Sequence, residues 1–164
     1  SAPEQHMRSA IILALGASFI RWTLHANGTL TNGGDFVPFH LLFVLVAVFI
    51  AGWRLVRTDP DCNVPRLFRA GFQAGAIYTL IISFFAYALY SWIDPTFFPI
   101  RVNEMVDQAM AAGRTEAEAR ERIEGFFSPF KYATITLFSF VVISAVDAFV
   151  CAVLHHKLLR PVRR

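Results

Sequence analysis

The residues of this chain that could do chemistry are a few polar side chains inside long apolar stretches. Asp147 lies in the last stretch, about nine residues and roughly 13 Å of helix before its end. Arg21 lies in the second half of the first stretch, and Gln73 lies near the beginning of the third. A charge inside a bilayer costs roughly 2.5 to 3.5 kcal/mol on insertion scales, so these three residues form a candidate intramembrane polar site.

Asp147 has two interpretations. It relays a proton or a cation, or it is a structural carboxylate that pairs with an arginine or accepts hydrogen bonds from Gln73, Ser83 or Ser144. Arg21 either pairs with Asp147, since their depths differ by about one or two helical turns, or extends toward the headgroups, or binds an anion. The sequence leaves these interpretations open.

Other motifs favour packing over catalysis. Gly71 and Gly75 have the small-xxx-small spacing that lets membrane helices approach closely. His25 and His40 lack a third ligand or a characteristic spacing, so we expect no metal site and no cofactor, and whether either histidine ligates anything stays open. The sequence contains no nucleophile elbow, zinc-protease motif, phosphate-binding loop or paired-carboxylate signature. We therefore assign no catalytic residue and predict no enzyme.

The elements that position these residues are long apolar helices. Of the 164 residues, 55% are hydrophobic and 16% are charged, and a water-soluble domain of this size has too little interior for so much apolar surface. A hydrocarbon core of about 30 Å is crossed by roughly 20 helical residues. Stretches of about that length lie at about residues 7–26, 36–56, 67–93 and 130–155. We predict an all-α integral membrane four-helix bundle that forms a single transmembrane domain over residues 1–164.

The connection at residues 94–129 is predicted to be helical and to lie outside the membrane. Apolar residues recur on one face between Val102 and Met110, which indicates a helix that Gly113 ends. Thr115 and Glu118 then have the spacing of a capping box, which predicts a second helix.

The distribution of arginine and lysine predicts the orientation. Residues 27–35 contain neither, and residues 94–129 contain more acidic than basic residues. Basic residues concentrate instead at the other ends of the apolar stretches: Arg8, Arg54, Arg57, Arg66, Arg69, Lys157, Arg160, Arg163 and Arg164. Since basic loops stay inside, we predict a bacterial inner-membrane protein with cytoplasmic N- and C-termini and an extracytoplasmic helical loop between spans three and four. His155 and His156, together with the basic tail, are predicted to contact anionic lipid headgroups. Because the basic residues lie at the ends of apolar stretches and not along one soluble helix face, we expect no nucleic-acid partner.

Short motifs around the last two stretches resemble a bacterial membrane-protein family. They are Phe-Arg-Ala-Gly-Phe at 68–72, Trp-Ile-Asp-Pro-Thr-Phe at 92–97 and Phe-Ser-Pro-Phe at 127–130. With the helix at 102–112, they resemble the family called domain of unknown function 4199, most strongly over residues 67–157. The resemblance implies four spans, an acidic outer loop and no established activity.

We expect a non-catalytic membrane protein, a structural or accessory subunit that packs with other membrane proteins or with itself in the lipid bilayer. The alternative is a small transporter or lipid-handling protein in which Asp147 and Arg21 are the working charges. A third hypothesis is a membrane enzyme that acts on a lipid-linked substrate, but no motif supports it.

Overall fold

A computed structural model describes residues 2–30 and 33–159, with side chains from Met7 onward. The helices are α1 (Ala2–Ala26), α2 (Val37–Thr58), α3 (Val64–Ala88), α4 (Phe97–Ala111), α5 (Glu116–Glu124) and α6 (Pro129–Leu154). A short 3-10 turn, Gly33–Phe36, precedes α2, and π-helical turns continue α3 to Ile93 and α6 to Leu159. The described residues contain no strand, which confirms the predicted all-α class.

Four helical stretches are long and apolar enough to cross a membrane: Met7–Ala26, Gly33–Thr58, Val64–Ile93 and Pro129–Leu159. They agree with the predicted spans to within a few residues at each end. Large apolar side chains cover their outer surfaces, as at Phe19, Phe84 and Phe138, each more than 60% exposed. An apolar surface of this kind suits contact with lipid. The four spans therefore indicate a multi-pass membrane protein.

Turn residues set the ends of these helices. Gly28, which follows α1, and Gly113, which follows α4, have φ values of 70° and 90°, in the left-handed region that glycine tolerates best. Asn63 caps α3, because its Oδ1 atom accepts a hydrogen bond from the backbone N–H of Arg66 at 3.0 Å. The third span thus begins at Val64, a few residues before the prediction, since its first turn carries Pro65 and Arg66, which lower its hydropathy.

The chain divides into two compact units. The first unit consists of Ser1–Ile82 and Leu137–Arg164, and the second consists of Ser83–Thr136. Small residues fill part of the core of the first unit, where alanines of three helices meet: Ala10, Ala47, Ala51 and Ala74. A second cluster in this unit is larger and aromatic, and it includes Phe36, Val44, Tyr78, Ile82 and Phe140. The alanines let the helix backbones approach closely, and the aromatic cluster fills the wider part of the core.

In the second unit, α4 and α5 form a hairpin. Val102 and Val106 of α4 pack against Ala119 of α5. The Thr115 hydroxyl accepts a hydrogen bond from the backbone N–H of Glu118 at 3.4 Å, so the predicted N-cap of α5 is confirmed. The predicted pair of helices in the loop is therefore present.

Tyr90 is the centre of an aromatic cluster in the second unit. It is 2% exposed. Its ring centroid lies 4.8 Å from that of Phe97, 5.0 Å from that of Phe98 and 5.4 Å from that of Tyr132. The last two contacts are edge-to-face, an arrangement that aromatic rings favour. Aromatic packing therefore stabilises the turn that follows α3.

Candidate functional site

Arg21 is buried in the interior of the first unit. Only 2% of its surface is exposed, so the side chain packs inside the protein. On α1 it follows Ala14 and Ala17, which face the aromatic cluster around Tyr78. The guanidinium lies within electrostatic range of the imidazole of His40 on α2. Arg21 is therefore part of a polar centre inside the bundle.

His40 and Tyr78 complete this polar centre. His40 is 3% exposed, and its Nδ1 atom lies 2.8 Å from the hydroxyl oxygen of Tyr78 on α3. The rings of Phe36 and Phe140 meet the imidazole edge-on, with centroids at 4.8 and 5.9 Å. Within the described part of the chain, the Nε2 atom of His40 has no hydrogen-bond partner. The centre thus combines a hydrogen bond with apolar walls, which strengthen the bond by excluding water.

Sequence reasoning missed Tyr78 and treated His40 only as a candidate ligand. The available signal was weak: a tyrosine and a histidine each lie inside an otherwise apolar stretch, 38 residues apart. Nothing in their spacing shows that α2 and α3 turn these two side chains toward each other.

Asp147 lies apart from this centre. It is half-buried on α6, one helical turn before Cys151. Among the described residues, Asp147 takes part in no hydrogen bond and no ion pair. The Ser144 hydroxyl, one of its predicted partners, lies instead 3.4 Å from the hydroxyl of Thr79.

Gln73 is exposed on the face of α3 that also carries the exposed residues Arg69 and Leu80. It therefore points away from the buried side of the helix, on which Ala74 and Tyr78 lie. The structure does not join the three predicted polar residues into one site. Arg21 belongs to the His40–Tyr78 centre, Asp147 lies on the side of α6, and Gln73 lies on the outer face of α3.

Gly71 and Gly75 lie where α3 is closest to its neighbours. A Cβ atom on Gly75 would lie 2.6 Å from the Cβ and Oγ atoms of Ser144. A Cβ atom on Gly71 would lie 3.1 Å from Val48 and 3.3 Å from the Cβ atom of Ala148. α3 therefore contacts α2 and α6 through two positions that have no room for a side chain.

His155 provides a similar close contact at the end of α6. It is fully buried, and its Nδ1 atom lies 2.6 Å from the carbonyl oxygen of Cys151. The ring packs against Phe49, at a centroid distance of 4.7 Å, and against Gly52, where a Cβ atom would lie 3.0 Å from the ring. His155 thus belongs to the packed interior, and the sequence-based headgroup anchor does not describe it.

The chemistry that these groups can perform is limited. The described residues contain no group of three histidine, cysteine, aspartate or glutamate side chains placed to hold a metal ion. The His40–Tyr78 hydrogen bond can pass a proton over one step, but no described hydrogen bond continues from it to Asp147. The described contacts of the buried polar groups join helices: His40 contacts Tyr78, and Ser144 contacts Thr79.

These features define an all-α, multi-pass membrane protein whose spans pack through alanine, glycine and one buried polar centre. Residues 9–157 match the model of the family described as "Protein of unknown function (DUF4199)". The chain therefore belongs to this family, and the likeness extends into the first two spans, beyond the range over which the motifs are clearest. No match was found among curated proteins or among solved structures.

Proposed function

We propose that this protein is a non-catalytic accessory subunit that associates with another membrane helix through the side of α6 that carries Asp147. The helix comes from a second copy or from a different membrane protein. The observation that carries the proposal is the position of Asp147. The residue lies well inside a span and is only half-buried, and no described residue forms a hydrogen bond or an ion pair with it.

A carboxyl group in this position is unfavourable against lipid. Polar residues in spans almost always face a bundle interior, a partner or water. A hydroxyl, amide or basic side chain from a neighbouring helix would satisfy the carboxyl group of Asp147. The residues around it are apolar and exposed, with Val146 at 57%, Phe149 at 60% and Val150 at 48%. Together they form a surface that a second helix can cover.

The proposed setting is a bacterial inner membrane. The arginines near residues 54–69 favour a cytoplasmic position for the turn between α2 and α3. The acidic α4–α5 hairpin then lies outside the cytoplasm.

The proposal is tested by the assembly state in native membranes. The wild-type protein, extracted in mild detergent, is expected to migrate as an assembly larger than the monomer. Asp147→Leu should weaken the association about threefold to twentyfold, which is the range of a single hydrogen bond between membrane helices. Gln73→Leu is the matched control, because it also removes an exposed polar group from a span.

If the partner is a second copy, Val150→Cys, about one turn from Asp147, should form an intermolecular disulfide between the two copies when membranes are oxidised. A wild-type protein that is purified alone as a monomer contradicts the proposal. So does an Asp147→Leu variant that assembles as well as the wild type.

The transporter alternative remains distinguishable. It requires Asp147 and Arg21 on one path, yet no described contact connects them. It would be favoured if Asp147→Asn left assembly intact and abolished proton-coupled uptake into vesicles.

A further inference from the structure

A basic groove lies between α1 and α2. Its volume is about 580 Å³, and it is lined by Arg8, Ser9, Ile12, Arg54, Arg57 and Thr58. Arginines from two different helices therefore face one cavity. No acidic side chain belongs to the described lining of this groove.

Two arginines of this groove, Arg8 and Arg57, have unpaired charges in the described part of the chain. Arg8 and Arg57 are exposed and form no ion pair with a described residue. Nearby, Arg66 is paired with Asp59 and lies outside the groove. Arg57 in the last turn of α2 also interacts favourably with the carbonyl end of that helix. Arg8 gains nothing from that helix end, and the like charge of Arg57 on the same groove repels it unless an anion lies between them.

A second, apolar groove lies beside the first. Its volume is about 490 Å³, and it is lined by Met7, Arg8 and Ile11 of α1 and by Ile77, Leu80 and Ile81 of α3. Arg8 lines both grooves. A molecule bound at Arg8 would therefore meet guanidinium groups on one side and a hydrocarbon surface on the other.

We propose that these grooves bind an acidic membrane phospholipid. Arg8 and Arg57 donate hydrogen bonds to the phosphate oxygens, since the planar guanidinium group suits phosphate geometry. An acyl chain lies along the apolar groove beside Ile11 and Leu80. The site is independent of the α6 surface, so it can be present whether or not Asp147 mediates assembly.

The test compares lipids on the full chain in a neutral detergent. Phosphatidylglycerol and phosphatidylcholine are titrated separately, and binding is followed by the shift in unfolding temperature and by lipid retention in native mass spectrometry. The variants are Arg8→Gln and Arg57→Gln, each compared with its lysine counterpart. Arg69→Gln is the matched control, because Arg69 is an exposed arginine of α3 that lines neither groove.

Each glutamine variant should bind phosphatidylglycerol about fivefold more weakly, which corresponds to roughly one basic residue near an anionic headgroup. The lysine variants should retain most of the affinity, and Arg69→Gln should match the wild type. Equal binding of phosphatidylcholine, an equal loss in Arg69→Gln, or unchanged binding in both glutamine variants would overturn the proposal. Inorganic phosphate should not raise the unfolding temperature, and protection by phosphate equal to that by the lipid would overturn the assignment to a lipid.

Discussion

The Nδ1 atom of His40 and the hydroxyl oxygen of Tyr78 lie 2.8 Å apart in the interior of the first unit. This hydrogen bond joins α2 to α3, with Arg21 of α1 within electrostatic range. Three spans therefore meet at one buried polar centre.

Removal of the Tyr78 hydroxyl should destabilise the bundle. Tyr78→Phe leaves the Nδ1 atom of His40 without its partner in an apolar environment, and we expect a loss of about 1 to 3 kcal/mol in the free energy of unfolding. Equilibrium unfolding in mixed micelles measures this loss. Tyr87→Phe is the control, because Tyr87 is only half-buried and its described contact is with the ring of Trp92. The control should change stability by less than about 0.5 kcal/mol, and equal effects in both variants would show that the hydrogen bond is not a significant contributor.

Hydropathy and turn residues predicted most of the architecture of this protein. A span needs a minimum length of apolar residues, and glycine, proline and capping residues mark helix ends. The spans and the loop helices can therefore be predicted from short segments of sequence. Which side of each helix faces its neighbours cannot be predicted in this way. In apolar spans both the buried and the lipid-facing sides are hydrophobic, so the rotation that buries Arg21 and exposes Gln73 leaves little trace in the pattern. For the same reason the pairing of His40 with Tyr78 could not be predicted.

Replacement of Gly75 should disturb the packing of α3. In Gly75→Ala, the new Cβ atom would lie 2.6 Å from the Ser144 side chain, so the helices must separate, and we expect a loss of about 1 to 3 kcal/mol. Gly16→Ala is the matched control, since no atom lies within 4 Å of its added Cβ atom. The control should be neutral or slightly stabilising, because alanine favours helix more than glycine does. Thermal unfolding of the two variants side by side gives the comparison, and equal midpoints would refute the close contact.

Arg120 should contribute modestly to the α4–α5 hairpin. Its guanidinium lies 3.3 Å from carboxylate oxygens of Glu116 and Glu124 and 3.2 Å from the Oδ1 atom of Asn103. The hydrogen bonds to Glu124 and Glu116 raise the pKa of Arg120 above its ordinary value, so the side chain stays charged. Because these groups are exposed, Arg120→Ala should destabilise the hairpin only slightly, and the effect should fall further at high salt.

Amide hydrogen exchange in residues 116–124 measures the effect of Arg120→Ala. Arg122→Ala serves as the control. Arg122, one helical turn after Glu118, forms no ion pair with a described residue. A loss of protection in the Arg122 variant as large as that in the Arg120 variant would contradict the assignment of the ion pairs.

Thiol labelling tests the proposed orientation. The native thiols of Cys62 and Cys151 are buried, so background labelling should be low. A membrane-impermeant maleimide is added to cells whose outer membrane is permeable and whose inner membrane is intact. It should label Glu118→Cys on α5 and should not label Pro60→Cys in the turn after α2. Both residues are exposed, and after the inner membrane is disrupted both cysteines should react. Labelling of Pro60→Cys alone in intact cells would reverse the orientation.

The burial of Arg21 has a consequence for biosynthesis. α1 has the lowest hydropathy of the four spans, and its arginine would meet bare hydrocarbon if α1 left the translocon alone. The connection to α2 is short in sequence, and α2 then brings His40 within electrostatic range of the guanidinium. We therefore expect the first two helices to leave the translocon as a pair, so that a nascent chain truncated before α2 is retained there or degraded.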